Sequence, residues 1–212
     1  MTLMVLGLGC AGGTESTPEV TAADPTAVAA LPECADYAYD AETFAYCAFS
    51  QAESAGDMGA AERTCELAGR WRDACVVAAA EDHCDAGIEH LLALCSGPAC
   101  RFGMLDLCPS DDLFQQIELC SSAGFYASDC SGHAAERWLA EGPPPEDIGR
   151  LLALDSSAGD TLGFWAGVAL HRLGEGSCED PPGDLQPSPR NLKSCQGSMK
   201  RCAREPESCA EL

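Results

Sequence analysis

From Cys34 to about Arg172 the apolar positions recur with helical spacing. Ala, Leu and Glu abound, runs of β-branched residues are missing, and Gly or Pro interrupts the pattern at roughly 10–20-residue intervals. This predicts an all-α chain of short helices over 34–173. Glu141-Gly142-Pro143-Pro144-Pro145 breaks the pattern, and a helix is expected to restart near Pro145. Leu151, Leu152 and Leu154, then Phe164, Trp165, Val168 and Leu170, predict two cysteine-free helices joined near Ser156-Ser157-Ala158-Gly159. Residues 11–33 are Ala/Thr/Pro-rich without an apolar stripe and read as a flexible tether. Residues 174–212, with Pro181-Pro182-Gly183, Pro187 and Pro189, read as a loop-rich, cysteine-containing tail packed on or extending the helical domain. No run of 18 apolar residues occurs, so no segment is expected to span a bilayer.

An internal repeat organises the helical region. Cys65-x9-Cys75 and Cys120-x9-Cys130 both place Ala-Gly (Ala68-Gly69, Ala123-Gly124) and an aromatic (Trp71, Tyr126) at the same offsets. Looser copies run from Cys34 to Cys47 and from Cys95 to Cys108. Gly69 is placed to end a helix with positive φ, so each unit reads as a helical hairpin turning near Arg70 or Phe125. Residues equidistant from the turn then face each other, within the ~4.4–6.8 Å Cα spacing that a disulfide needs. A continuous helix would instead part Cys65 and Cys75 by ~15 Å. Four such units predict a solenoid-like array of stapled hairpins.

Cysteine makes up 15 of 212 residues, a density that belongs to an oxidising compartment. The odd count is explained by Cys10, which ends the apolar stretch 1–9 and precedes small polar residues. Residues 1–10 resemble a bacterial lipoprotein signal, without its basic start and with Gly7 where the motif prefers Leu. The resemblance implies export and lipidation of Cys10, the chain's expected membrane attachment. Fourteen cysteines remain, enough for seven bridges. The hairpin reading pairs Cys34–Cys47, Cys65–Cys75, Cys95–Cys108 and Cys120–Cys130, with Cys84–Cys100 as a fifth. Cys178, Cys195, Cys202 and Cys209 would form two more.

The stretch Ala60-Ala61-Glu62-Arg63-Thr64-Cys65-Glu66-Leu67-Ala68-Gly69 with Cys75 resembles the Sel1-like repeats of secreted bacterial cysteine-rich proteins. Gly69-x-Trp71-x-x-Ala74 resembles a tetratricopeptide turn. The resemblance covers roughly residues 34–140, with longer cysteine spacing, and implies a binding scaffold; some members have been linked to β-lactam binding. A second resemblance, carried by Cys65, Cys75, Cys84 and Cys95, is to the twin-CX9C hairpin of a mitochondrial copper chaperone family. It implies nested Cys65–Cys95 and Cys75–Cys84 bridges, but the adjacent Cys-Cys copper ligand is missing.

Charge narrows the partners. Thirty-four acidic against 12 basic residues give a net charge of −22, which repels nucleic acid; the two lysines, Lys193 and Lys200, form no polybasic membrane patch. No C-x-x-C, H-E-x-x-H, G-x-S-x-G, Walker A or G-x-G-x-x-G pattern occurs. No cofactor is expected. His83 beside Cys84, and Cys130-x-x-His133, would ligate a soft metal only with reduced thiols; His90 and His171 have no partner at ligand spacing. Trp71, Tyr126 and Trp138 are candidate ligand anchors, although such aromatics more often fill the core between hairpins. The leading expectation is a non-catalytic scaffold at the periplasmic face of a bacterial membrane or the cell surface, binding a basic protein or peptide. Copper handling is the alternative, and a hydrolase acting on β-lactams the third.

Overall fold

The computed structural model describes residues 20–142, 144–156, 158–174, 176–183 and 185–210. These form α-helices joined by short 3-10 turns, with no strand among them. The all-α expectation holds, and the helix starts carry the expected chemistry. Asp40 opens α2 (Ala41–Glu53), Asp57 opens α3 (Met58–Cys65) and Asp112 opens α7 (Leu113–Cys120), each side chain accepting from first-turn N–H groups. The segment read as a tether is partly helical: its described part carries α1 over Pro25–Ala30. Asp24 caps α1, and Leu31 packs against the first core. An N-cap followed by Pro at the first helical position outweighs the lack of an apolar stripe.

The two matching hairpins form as the repeat predicts. In the first, α3 turns through Gly69–Trp71 into α4 (Arg72–Ala80); in the second, α7 turns through Ser121–Tyr126 into α8 (Ala127–Glu141). Gly69 and Gly124 take φ of 54° and 59°, which a β-carbon would resist. Cys65–Cys75 and Cys120–Cys130 staple the two hairpins at the same Cα separation, 5.6 Å. Cys34–Cys47 forms as well, between a 3-10 turn and α2.

Two expected bridges exchange partners. Cys95 pairs with Cys100 and Cys84 with Cys108, in place of Cys95–Cys108 and Cys84–Cys100. The sharp Ser96-Gly97 turn leads straight into α6 (Pro98–Leu107), with Pro98 at its first position. Cys95 and Cys100 therefore meet across that turn. Cys108 lies about 12 Å further along the same helix axis and meets Cys84, which follows α4. The nested Cys65–Cys95 and Cys75–Cys84 bridges of the twin-CX9C resemblance are not formed.

Two main cores result. The first is alanine-rich: Ala48, Ala52, Ala61, Ala79 and Ala80 surround Val76, Leu91 and Met104, so the helices approach closely. The second gathers Trp138, Ile148, Leu151, Leu152, Leu162, Trp165, Val168 and Leu170 from α8, α9 (Pro145–Ala153) and α10 (Gly159–Leu173). A small third cluster, Leu105 with Cys120 and Cys130, lies on α6, α7 and α8. The tail is loop-like only as far as Ser188. From there α11 (Pro189–Arg204) and α12 (Pro206–Ala210) carry the Cys178–Cys195 and Cys202–Cys209 bridges into the second core. Pro187 and Pro189 read as breakers, but Pro189 is the first residue of α11, where a missing N–H costs nothing.

The α10–α11 contact is unusually close because Gly159, Gly163 and Gly167 line one face of α10. A β-carbon at Gly163 would stand 2.8 Å from Asn191 Cα and 2.9 Å from Ser194 Cβ; at Gly167 it would stand 2.6 Å from the Cys195 carbonyl oxygen. Asn191 is fully buried there. Its amide nitrogen lies 3.1, 3.0 and 2.8 Å from the carbonyl oxygens of Leu151, Leu152 and Leu154, closing the C-terminal end of α9.

Candidate functional site

Helices α4 and α6 lie side by side and run in the same direction. Ser96, just before α6, binds Asp73 in the first turn of α4, while the Cys84–Cys108 bridge joins the chain just beyond their C-terminal ends. α5 (Ile88–Leu94) is the return crossing between them. Between α4 and α6 runs a groove of about 490 Å3, within the range of ligand sites. Its walls are small and apolar: Ala74, Val77 and Ala78 from α4, and Ala99, Gly103 and Leu107 from α6. The i, i+4 spacing of Ala74/Ala78 and of Ala99/Gly103/Leu107 puts each set along one helix face. At Gly103 the two helices approach closely, since a β-carbon there would stand 3.3 Å from Val77.

The two ends of the groove differ in charge. At the N-terminal end, the Asp73 carboxylate accepts from the Ser96 hydroxyl at 2.7 Å and the Ser96 N–H at 3.1 Å, and pairs with Arg72 at 3.2 Å. Burial pushes the Asp73 pKa up, but these hydrogen bonds and the Arg72 charge outweigh it and hold it below the ordinary carboxylate range. Arg72 is further tied to Glu66 and to the Leu94 carbonyl. At the other end Glu81 lines the groove, with Asp82 and Asp85 on the connection that follows it; all three are exposed and make no ion pair among the described residues. The C-termini of two parallel helices add partial negative charge at that end. No basic side chain lines the groove.

The candidate anchors separate. Trp138 belongs to the second core and is nine-tenths buried. Trp71 and Tyr126 sit at equivalent hairpin turns, Trp71 exposed and Tyr126 half-buried. Trp71 is 37% exposed and carries the Arg70 guanidinium 4.9 Å over its ring, with Arg70 paired to Glu42. Tyr126 stacks between Phe125 at 4.1 Å and Phe102 at 5.3 Å, and the His133 ring meets Phe102 edge-on. Core filling, the commoner expectation, thus holds for Trp138 and in part for Tyr126, while Trp71 is displayed at its turn.

The metal alternative finds its thiols consumed. Cys84 and Cys130 are disulfide-bonded, His83 contacts the Ala55 carbonyl, and His133 contacts Asp106 at 2.9 Å. Among the described residues no group of three His, Cys, Asp or Glu side chains is placed to hold an ion. Asp106 also receives Arg137 at 2.8 Å; burial pushes its pKa up, but the His133 and Arg137 hydrogen bonds prevail and lower it. No hydroxyl or thiol hydrogen-bonds to His133 among the described residues.

Two further clefts flank α7. One, of about 290 Å3, lies against the Pro109–Asp111 connection and is lined by Arg137 and Trp138, whose Nη2 and Nε1 are buried without an acceptor. The other, of about 620 Å3, opens towards the α9–α10 connection and is lined by Asp112, Glu118 and Asp155. Cys10 and the signal-like residues 1–10 lie outside the described residues. Sequence reasoning missed the α4–α6 groove. Its signal was present as small residues in i, i+4 rows, but alanine rows are also what a packed interface looks like.

The seven disulfides belong to an oxidising, extracytoplasmic environment. Among the described residues no helix is long and apolar enough to cross a membrane. Comparison of the chain with protein-family models, with curated proteins and with solved structures finds no match.

Proposed function

We propose that this protein is an exported, non-catalytic binding scaffold of the bacterial cell envelope, attached through a lipidated Cys10, whose partner is a basic protein or peptide. The observation that carries this reading is the charge of the hairpin region: residues 34–140 hold 18 acidic and five basic side chains. Five of the seven bridges staple that region. A rigid acidic surface attracts cationic partners over a Debye length, about 10 Å at 0.1 M salt, and loses little entropy on binding them.

Calorimetric titration of the oxidised chain with a panel of basic, neutral and acidic peptides tests the reading. Basic peptides are expected to bind best, and their affinity to fall steeply as salt rises from about 0.02 M to about 0.3 M. Basic peptides binding no better than neutral ones at low salt would overturn it. The intact mass of protein taken from its native envelope tests the attachment, because acyl chains on Cys10 add a large increment. A chain of unmodified mass in that fraction would refute lipidation.

A further inference from the structure

We infer that the α4–α6 groove is the docking site for a short apolar peptide segment whose one end is cationic, held with its cations over Glu81 and the acidic connection that follows it. The inference rests on the binding-scaffold reading and adds a place, a chemistry and a direction. The walls offer apolar surface without a hydrogen-bonding side chain, so the segment's apolar residues occupy the middle. Direction follows from the asymmetry of the ends. Asp73 is already satisfied by Ser96 and Arg72, whereas the opposite end has the unpaired Glu81 carboxylate, the exposed Asp82 and Asp85 on the connection beyond it, and the C-termini of both helices. A cation is therefore favoured at the Cys84–Cys108 end and gains little at the Ser96 end. The groove is also preformed. Cys65–Cys75 fixes α4 to α3, Cys95–Cys100 fixes the entry to α6, and Cys84–Cys108 clasps the two helices at the acidic end. A preformed groove avoids the ordering cost that weakens flexible sites.

The test uses the oxidised full chain and an amidated peptide, acetyl-Leu-Leu-Ala-Leu-Ala-Lys-Lys-Arg, with a control in which Glu replaces the three basic residues. The basic peptide is expected to bind with one site per chain, and the acidic control to fail. Ala74→Arg and Ala99→Arg place a bulky cation at exposed positions in the groove wall, where folding is not at stake. Each should weaken binding at least about tenfold, the size of effect seen when a central contact is blocked. Glu81→Lys should weaken it roughly three- to fivefold, as removal of an exposed charge pair does. A spin label on the basic end should broaden the amide resonances of residues 81–85 rather than those of residues 96–97. Undiminished binding by both arginine variants would overturn the groove while leaving the acidic scaffold standing. Failure of the native chain to bind any basic peptide would overturn both. Broadening at residues 96–97 would overturn the direction.

Discussion

Gly163→Ala gives the sharpest test of the packing argument, because two physical effects predict opposite signs. In a helix interior, replacing Gly by Ala stabilises by about 0.5–1 kcal/mol through reduced backbone entropy. Against that stands the α10–α11 contact, where the new methyl would meet Asn191 Cα at 2.8 Å and Ser194 Cβ at 2.9 Å. Carbon atoms pack best at about 3.5–4.0 Å, so α11 must retreat by about 0.7 Å or more, and neither obstacle can rotate away. Overpacking of this kind costs about 1–3 kcal/mol. The retreat would also draw Asn191 off the Leu151, Leu152 and Leu154 carbonyls at the end of α9. The net expectation is a loss of about 1–2 kcal/mol, or a fall in melting temperature of about 2–8 °C for a chain of this size. Gly197 in α11 has nothing within 4 Å of its would-be β-carbon and serves as the internal control. Gly197→Ala should raise the melting temperature by about 1–3 °C. Calorimetry or circular-dichroism melts of both oxidised variants would decide. A Gly163→Ala chain as stable as Gly197→Ala would refute the close-packing argument.

Four further outcomes are expected. Cys84 is the exposed half-cystine in a set that is otherwise buried or half-buried, so limiting dithiol should open Cys84–Cys108 before the other bridges, read by alkylation and peptide mass mapping. Replacing both by Ser removes a 24-residue closure and should lower stability by about 3.5 kcal/mol on the chain-entropy estimate, measured by urea unfolding. Asn191→Ala removes this donor from the Leu151 and Leu154 carbonyls, while Leu152 keeps the Ser188 N–H, and should cost about 1–3 kcal/mol in the same assay, with an unchanged result counting against the role given to this side chain. Asp73 and Asp106 have folded pKa values below their ordinary ones, so the stability they add is present above about pH 4 and is lost as pH falls through the lower folded values. Asp106→Asn should flatten that acid limb of urea-unfolding stability between about pH 4 and pH 2, and an unaltered slope would contradict the Asp106 assignment.

Local chemistry alone determined a good deal of this protein. Ala, Leu and Glu at helical spacing specify helices, and Gly69 and Gly124 end them because positive φ suits a residue without a β-carbon. Cys65–Cys75 and Cys120–Cys130 follow from that turn, since a bridge across a hairpin depends on residues close in sequence. The Cys84–Cys108 and Cys95–Cys100 pairing was decided by tertiary structure. It depends on α4 and α6 lying side by side in the same direction, and the return through α5 that sets this direction has no short-range signature. The same holds for the groove. Ala74, Ala78, Ala99 and Gly103 read identically whether their faces are buried in an interface or left open, and the positions of both helices choose between these. The tail shows the converse: Pro189 looks like a breaker until Ser188 caps the helix behind it and glycines on α10 let α11 approach. Short-range steric and hydrogen-bonding rules are written in neighbouring residues, whereas side-by-side placement of distant helices is set by the burial of whole faces.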